Sequence, residues 1–189
     1  GHEKAHNPHG GGNTYELETA LDEDILLTSV GWANSYYQEA GQYRDEWGIE
    51  WKPVPYQTRF GTGVYTEITR RPLEDDSAID AYRPPDPERS ELYDEAKWAV
   101  DQFKEEYWIV GVTVTTIFET AWALRGLERL LMDLILNPEV AERILEIPFQ
   151  YHLAAARNLV HAGVDMIWTG DDMGTQRGMV LSPELWRRY

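Results

Sequence analysis

Two adjacent carboxylates, Asp171 and Asp172, close a short apolar run, Val164-Asp165-Met166-Ile167-Trp168-Thr169-Gly170. They open a glycine-punctuated polar loop carrying Thr175, Gln176 and Arg177. Neighbouring negative charges repel, so either one of the pair holds a proton or both are held by donors or a cation. The first state suits proton transfer and the second suits acceptance of a substrate's donors. The alternative is a solvated loop in which Asp172 or Thr175 only shapes a turn.

The elements around this loop are legible. The run before it reads as a buried strand, and Ser182-Pro183 after it reads as the N-cap and first residue of a helix. In barrels and open sheets made of such units, chemistry sits in the loops after the strands. Upstream, Asp24–Val30 has the look of a short buried strand, and Tyr107–Thr116 is a β-branched run of the parallel-sheet kind. The pattern predicts a helix starting at Asp86-Pro87, with Leu92, Ala96, Ala99, Val100 and Phe103 on one face. A loop is expected at 117–126, followed by a helix carrying Leu127, Leu130, Leu131, Leu134 and Ile135. From Asn137-Pro138 a longer helix runs to about His161, facing inward with Leu145, Phe149, His152, Ala156, Leu159 and Val160, with Pro148 inside it and Gly163 as its C-cap. Strands alternating with helices imply a parallel sheet. Residues 41–87 break that rhythm. Trp47–Trp51 and Gly63–Thr69 alternate with period two around a Pro- and Gly-containing connection, which predicts a β-hairpin insertion. Pro84, Pro85 and Pro87 then form a stiff linker.

Two further loops hold candidate groups. Thr115, Thr116, Phe118, Glu119 and Trp122 follow the Tyr107 strand and could line a pocket, although Phe118 and Trp122 could equally pack under the next helix. Asp24 belongs to a charge run, Asp22-Glu23-Asp24, of the kind that solvates a strand entrance. His2, His6 and His9 lie among Pro8 and a glycine run, which argues against a helix that would gather them on a metal. His152 lies on the packed helix face, where a structural role is expected.

Composition excludes several functions. The chain has 189 residues, enough to bury a core as one domain, with 17 basic against 33 acidic residues and a net charge of −16. Nucleic acid and an anionic membrane surface are therefore disfavoured partners. No stretch approaches the ~20 apolar residues that span a bilayer, and no signal peptide is visible. A cytoplasmic location is the default. The absence of cysteine removes disulfides and thiolate zinc sites from this segment. Eight tryptophans and eleven tyrosines suit either a pocket for a planar ligand or ordinary barrel packing.

The stretch Ala162–Gln176, together with Ser182-Pro183-Glu184-Leu185-Trp186, resembles the uroporphyrinogen decarboxylase family, which includes porphyrin-pathway decarboxylases and corrinoid-linked methyltransferases. Leu124-Arg125-Gly126-Leu127-Glu128, Asn137-Pro138-Glu139, Asp45-Glu46-Trp47-Gly48-Ile49 and Arg71-Pro72-Leu73 are similar to the family as well. The resemblance implies a TIM-type (β/α)8 barrel, a fold needing more residues than are present. The expectation is a single incomplete barrel domain over 1–189, its front half only, with the 41–87 excursion inside it and the chain an N-terminal fragment.

The resemblance also implies chemistry. Asp24-Ile25-Leu26 is similar to the Asp-Ile-Leu that carries the essential aspartate of the porphyrin decarboxylases, so Asp24, Asp171 and Asp172 are the candidate catalytic carboxylates. Thr116, Phe118, Glu119, Trp122, Gln176 and Arg177 are the candidate substrate-binding residues. Gln176 and Arg177 can donate to a carboxylate, and the two aspartates can accept from pyrrole-type N–H groups. A tetrapyrrole with many carboxylates demands several arginines, and only Arg125 and Arg177 stand in these loops. The decarboxylases' Arg-Gln-Ala-Gly-Arg-Tyr motif is not found, and their Phe-Asp-Ser-Trp is replaced by Gly170-Asp171-Asp172-Met173. The preferred expectation is a methyltransferase-type enzyme acting on a methyl-corrinoid and a thiol, with uroporphyrinogen decarboxylation as the alternative. No cofactor is identifiable in this segment, and the zinc of the methyltransferase branch would need ligands beyond Tyr189. A homodimer is a possible assembly. A reading of another class is a non-catalytic binding module, motivated by the acidic, aromatic composition and the lack of a complete nucleophile–base set.

Overall fold

The computed structural model describes residues 14–30 and 41–189, so the candidate ligands His2, His6 and His9 lie outside the described residues. The protein is a mixed α/β structure with a parallel sheet. Its backbone contacts divide it into two units, one from Gly1–Asn34, Asp86–Val114 and Tyr151–Gly170, the other from Ser35–Pro85, Thr115–Gln150 and Asp171–Tyr189.

In the first unit a short helix α1 (Glu16–Ala20) precedes β1 (Ile25–Ser29). The parallel sheet has the order β1, β5 (Trp108–Val114), β6 (Met166–Gly170), the order in which these strands occur along the chain. Register pairs Leu26 with Ile109 and Gly111 with Ile167, so these side-chain positions share one face. That face is covered by α2 (Asp94–Phe103) and the second half of α5 (Pro138–Ala162), through a core of Leu26, Ile109, Ala96, Ala99, Ala155 and Leu159. A Cβ on Gly111 would lie 3.0 Å from Leu159 Cδ1, so glycine lets the helix approach the central strand. The opposite face carries Ile25, Leu27, Trp108, Met166 and Trp168, which are exposed, beside Val110 and Val112 of the central strand, which are buried.

Several expectations change here. The helix expected from Asp86 begins eight residues later. The Asp86 carboxylate accepts from Glu88 N (2.9 Å) to make a turn, and the Pro87 carbonyl accepts from the Tyr93 hydroxyl and Asn158 Nδ2 instead of from a helix N–H. Helix α5 runs through Pro148 as one element, but its buried side is Ala141, Ile144, Tyr151, His152, Ala155 and Leu159. Phe149 and Val160, expected inward, are exposed. Gly163 ends the helix with φ of +100°, as a C-cap requires.

The second unit contains an antiparallel sheet, ordered β2 (Tyr43–Arg44), β3 (Glu50–Thr58), β4 (Gly61–Arg70). The Asp45 carboxylate fastens the entry turn by accepting from Ile49 N (2.9 Å) and Trp51 Nε1 (2.8 Å). The hairpin is longer than its alternation predicts, because Pro53 and Pro55 stand inside β3. Both have the same parity, and beyond Trp51 only β4 pairs with β3 among the described residues, so their missing donors fall on the side away from β4. Helices α3 (Phe118–Arg125) and α4 (Leu127–Leu136), the first half of α5, a two-rung ribbon of β7 (Gly174–Thr175) and β8 (Gly178–Met179), and α6 (Pro183–Arg188) complete the unit. Ser182 Oγ caps α6 by accepting from Leu185 N at 3.2 Å. Among the described residues no helix is long and apolar enough to cross a membrane.

Candidate functional site

Val114 and Gly170 form the last rung between β5 and β6, so Thr115 and Asp171 are the first residues beyond adjacent strand ends. Thr115 has φ of +56°. A β-branched residue in that region costs on the order of 1–3 kcal/mol and persists only where its surroundings fix it. Here the Thr115 carbonyl accepts from Thr120 Oγ1 at 2.5 Å. The chain reversal turns the backbone N–H groups of Ile117, Phe118 and Glu119 toward one point, and the Asp171 carboxylate occupies it. Its Oδ2 accepts from Thr116 Oγ1 (2.9 Å), Ile117 N (2.8 Å) and Phe118 N (3.0 Å), and its Oδ1 from Glu119 N (2.9 Å). Helix α3 has no side-chain cap from its own segment. Asp171 supplies one from across the fold, satisfying orphan donors where the helix dipole favours negative charge.

Glu119 returns the contact, its Oε2 accepting from Asp172 N at 2.9 Å. Burial raises the Glu119 carboxyl above its ordinary range; the Asp172 N–H opposes this and the charges of Asp171 and Asp172 add to it. Burial therefore favours the protonated form of Glu119. Asp172 Oδ1 accepts from Gly174 N (2.9 Å), an Asx turn leading into β7. Thr175 Oγ1 accepts from Arg177 N (3.1 Å) and donates to the Gly178 carbonyl (2.9 Å), which leaves Gln176 and Arg177 exposed at the ribbon's tip.

Of the residues singled out in the sequence, Thr116, Phe118, Glu119, Asp171 and Asp172 are brought together. Phe118 is buried, and Trp122 is half-buried one turn further along α3. Arg125 is withdrawn from any ligand. Fully buried, it donates from Nε to Asp133 (2.8 Å), from Nη1 to the Leu73 carbonyl (2.9 Å) and from Nη2 to Asp76 (2.5 Å). Asp24 lies in the other unit, before β1, where its carbonyl accepts from Trp108 N (3.0 Å). That is the end of the parallel sheet at which strands begin. The region read as a loop at 117–126 is α3, because its capping carboxylate is distant in sequence.

Sequence reasoning passed over a buried polar cluster in the first unit. Glu95 Oε1 accepts from the Tyr15 hydroxyl (3.4 Å) and Thr28 Oγ1 (3.5 Å), and burial raises its carboxyl above the ordinary range. The available signal was its place between Leu92 and Ala99 on the inward face of α2. Among the described residues no group of three or more His, Cys, Asp or Glu could hold a metal ion.

A model of the family described as uroporphyrinogen decarboxylase (URO-D) matches residues 55–189. The chain belongs to that family. A solved methyltransferase from Methanosarcina mazei is similar with a TM-score of 0.48 and 18% sequence identity, covering 66% of this chain. The chain spans 37% of that protein's length. No curated protein matches the sequence.

Proposed function

We propose that this member of the uroporphyrinogen decarboxylase family forms part of a (β/α)8 barrel enzyme of the methyl-transfer type, acting on a methyl-corrinoid and a thiol. The barrel reading is supported by the sheet. Its parallel strands are adjacent in chain order, and α2 and α5 pack on the same face, as in a singly wound barrel; a doubly wound sheet reverses its strand order and carries helices on both faces. The exposed apolar face with Trp108 and Trp168 then corresponds to the barrel interior.

The observation that carries the choice of chemistry is the charge of the strand-end loops. Glu119, Asp171 and Asp172 cluster there, and Arg125 is consumed inside the unit by Asp133 and Asp76. Among the described strand-end loops, a substrate bearing many carboxylates would meet repulsion with Arg177 alone to offset it. A thiol and a methyl donor make no such demand. On this reading Asp171 and Thr116 set the position of α3, Glu119 holds or accepts a proton at its carboxyl, and Asp172 and Gln176 orient ligand donors and acceptors. Zinc chemistry, which the family's methyltransferases use, has no ligand set among the described residues, and no step here is routed through it.

The test is turnover by the full-length protein, with uroporphyrinogen and a methyl-corrinoid/thiol pair assayed side by side. Methyl transfer without release of carbon dioxide from uroporphyrinogen is the expected result. Decarboxylation of uroporphyrinogen would replace this reading with the alternative, and inactivity toward both would favour a binding module.

A further inference from the structure

The β3–β4 ribbon has two unlike edges. Beyond Trp51, β3 has only β4 as partner among the described residues, and its outer side is closed to pairing by Pro53 and Pro55. The outer side of β4 pairs with no other strand among the described residues and carries no proline over ten residues. Apolar surface is exposed along the ribbon: Val64 of β4 is 65% exposed and Phe60 in the turn 85% exposed, with Tyr65 of β4 and Tyr56 of β3 half-exposed. A long, unblocked, apolar edge is a pairing site unless something occupies it.

We propose that β4 pairs with β4 of a second copy of this chain, joining two ribbons into one continuous antiparallel sheet across a two-fold axis. Self-pairing about an axis normal to the sheet is antiparallel and preserves the two faces, so the axis passes through a residue position. Centred on Val64, it pairs Val64 with its own copy and Thr62 with Thr66, β-branched against β-branched on one face. On the other face Tyr65 falls opposite Gly63, and Glu67 opposite Gly61. Tyr65 of each copy then extends the ring contact that Tyr56 and Tyr65 already make at 5.9 Å, because Tyr56 lies over Gly63, where a Cβ would stand 2.5 Å from the ring. Charge agrees with this occupant. In a chain of net charge −16, residues 53–66 hold Arg59 and no acidic residue, and no like charges are opposed in this register. The paired edge is thus a place where two copies meet without the repulsion their surfaces otherwise impose.

Residues 1–189 contain no cysteine, so single introduced cysteines test the register directly in this chain. Sedimentation should show a wild-type dimer, and Val64→Lys, at an exposed position, should weaken association at least tenfold with an unchanged circular dichroism spectrum. Under oxidising conditions Val64→Cys should give a covalent dimer, since opposed Cα atoms in such pairs lie about 4.5–5.5 Å apart. Thr62→Cys and Thr66→Cys should cross-link when mixed and not separately. A monomeric wild type, a dimer indifferent to Val64→Lys, or a Val64→Cys protein that stays uncross-linked would each overturn the proposal.

Discussion

Replacing Asp171 by asparagine perturbs one carboxylate that organises the start of α3. The wild-type side chain accepts four hydrogen bonds, three on Oδ2 and one on Oδ1. Asparagine keeps one acceptor oxygen. If that oxygen faces the three-donor side, the amide NH2 confronts Glu119 N–H and that bond is lost. A hydrogen bond to a charged group contributes about 1.5–3 kcal/mol, and the charge at a helix N-terminus about 0.3–1 kcal/mol more. Asp171 is half-buried, so the lower part of that sum applies, about 2 kcal/mol. With a urea slope of about 1–3 kcal/mol per molar, the unfolding midpoint should fall by roughly 1 M. Asp171→Ala should cost more, because all four donors then lose their acceptor. Asp172→Asn should stay within about 0.5 kcal/mol, since the amide oxygen can still accept from Gly174 N. Urea denaturation followed by far-ultraviolet circular dichroism measures all three. An Asp171→Asn protein as stable as wild type would refute the reasoning that this carboxylate caps α3.

Two further perturbations follow from buried groups. Arg125→Met should destabilise the protein by about 3–5 kcal/mol, because it strands the buried Asp133 carboxylate; a shift below about 1 kcal/mol in the same assay would contradict that pairing. Glu95 has a raised folded-state pKa, so its contribution is fully present below the unfolded value near 4.3 and is lost as pH rises through the folded one. Glu95→Gln should therefore gain stability relative to wild type as pH rises from about 4 to 7, and a difference independent of pH would refute the assignment.

What the sequence revealed follows from how local each cause is. Ser182-Pro183 announces α6 because cap and first helical residue are contiguous, and Gly163 marks the end of α5 for the same reason. The β5 and β6 strands were legible as apolar runs in a β–α rhythm. Helix α3 was not, since its cap comes from Asp171, more than fifty residues away. Arg125 looked available for a ligand because nothing near it in sequence discloses Asp76, and Asp133 eight residues on reads as an ordinary helix-surface acid. The inward face of α5 was misphased toward Phe149 and Val160, although Ile144, Tyr151, Ala155 and Leu159 fit helical spacing as well. The Asp171-Asp172 pair stands out in the sequence as two adjacent carboxylates. Its two members divide the work, one capping a distant helix and the other shaping a turn.

On the proposed function, the Glu119–Asp171–Asp172 cluster forms a wall of the working site. The direct measurement is kcat/KM against pH for full-length wild type and Glu119→Gln, with whichever of the two candidate substrates is turned over. Glutamine preserves the acceptor for Asp172 N and removes the titrating carboxyl. The account predicts a loss of roughly ten- to a hundredfold, equivalent to about 1.5–3 kcal/mol, together with disappearance of the acidic limb of the pH profile. Unchanged kcat/KM with an unchanged pH profile would remove this cluster from the site.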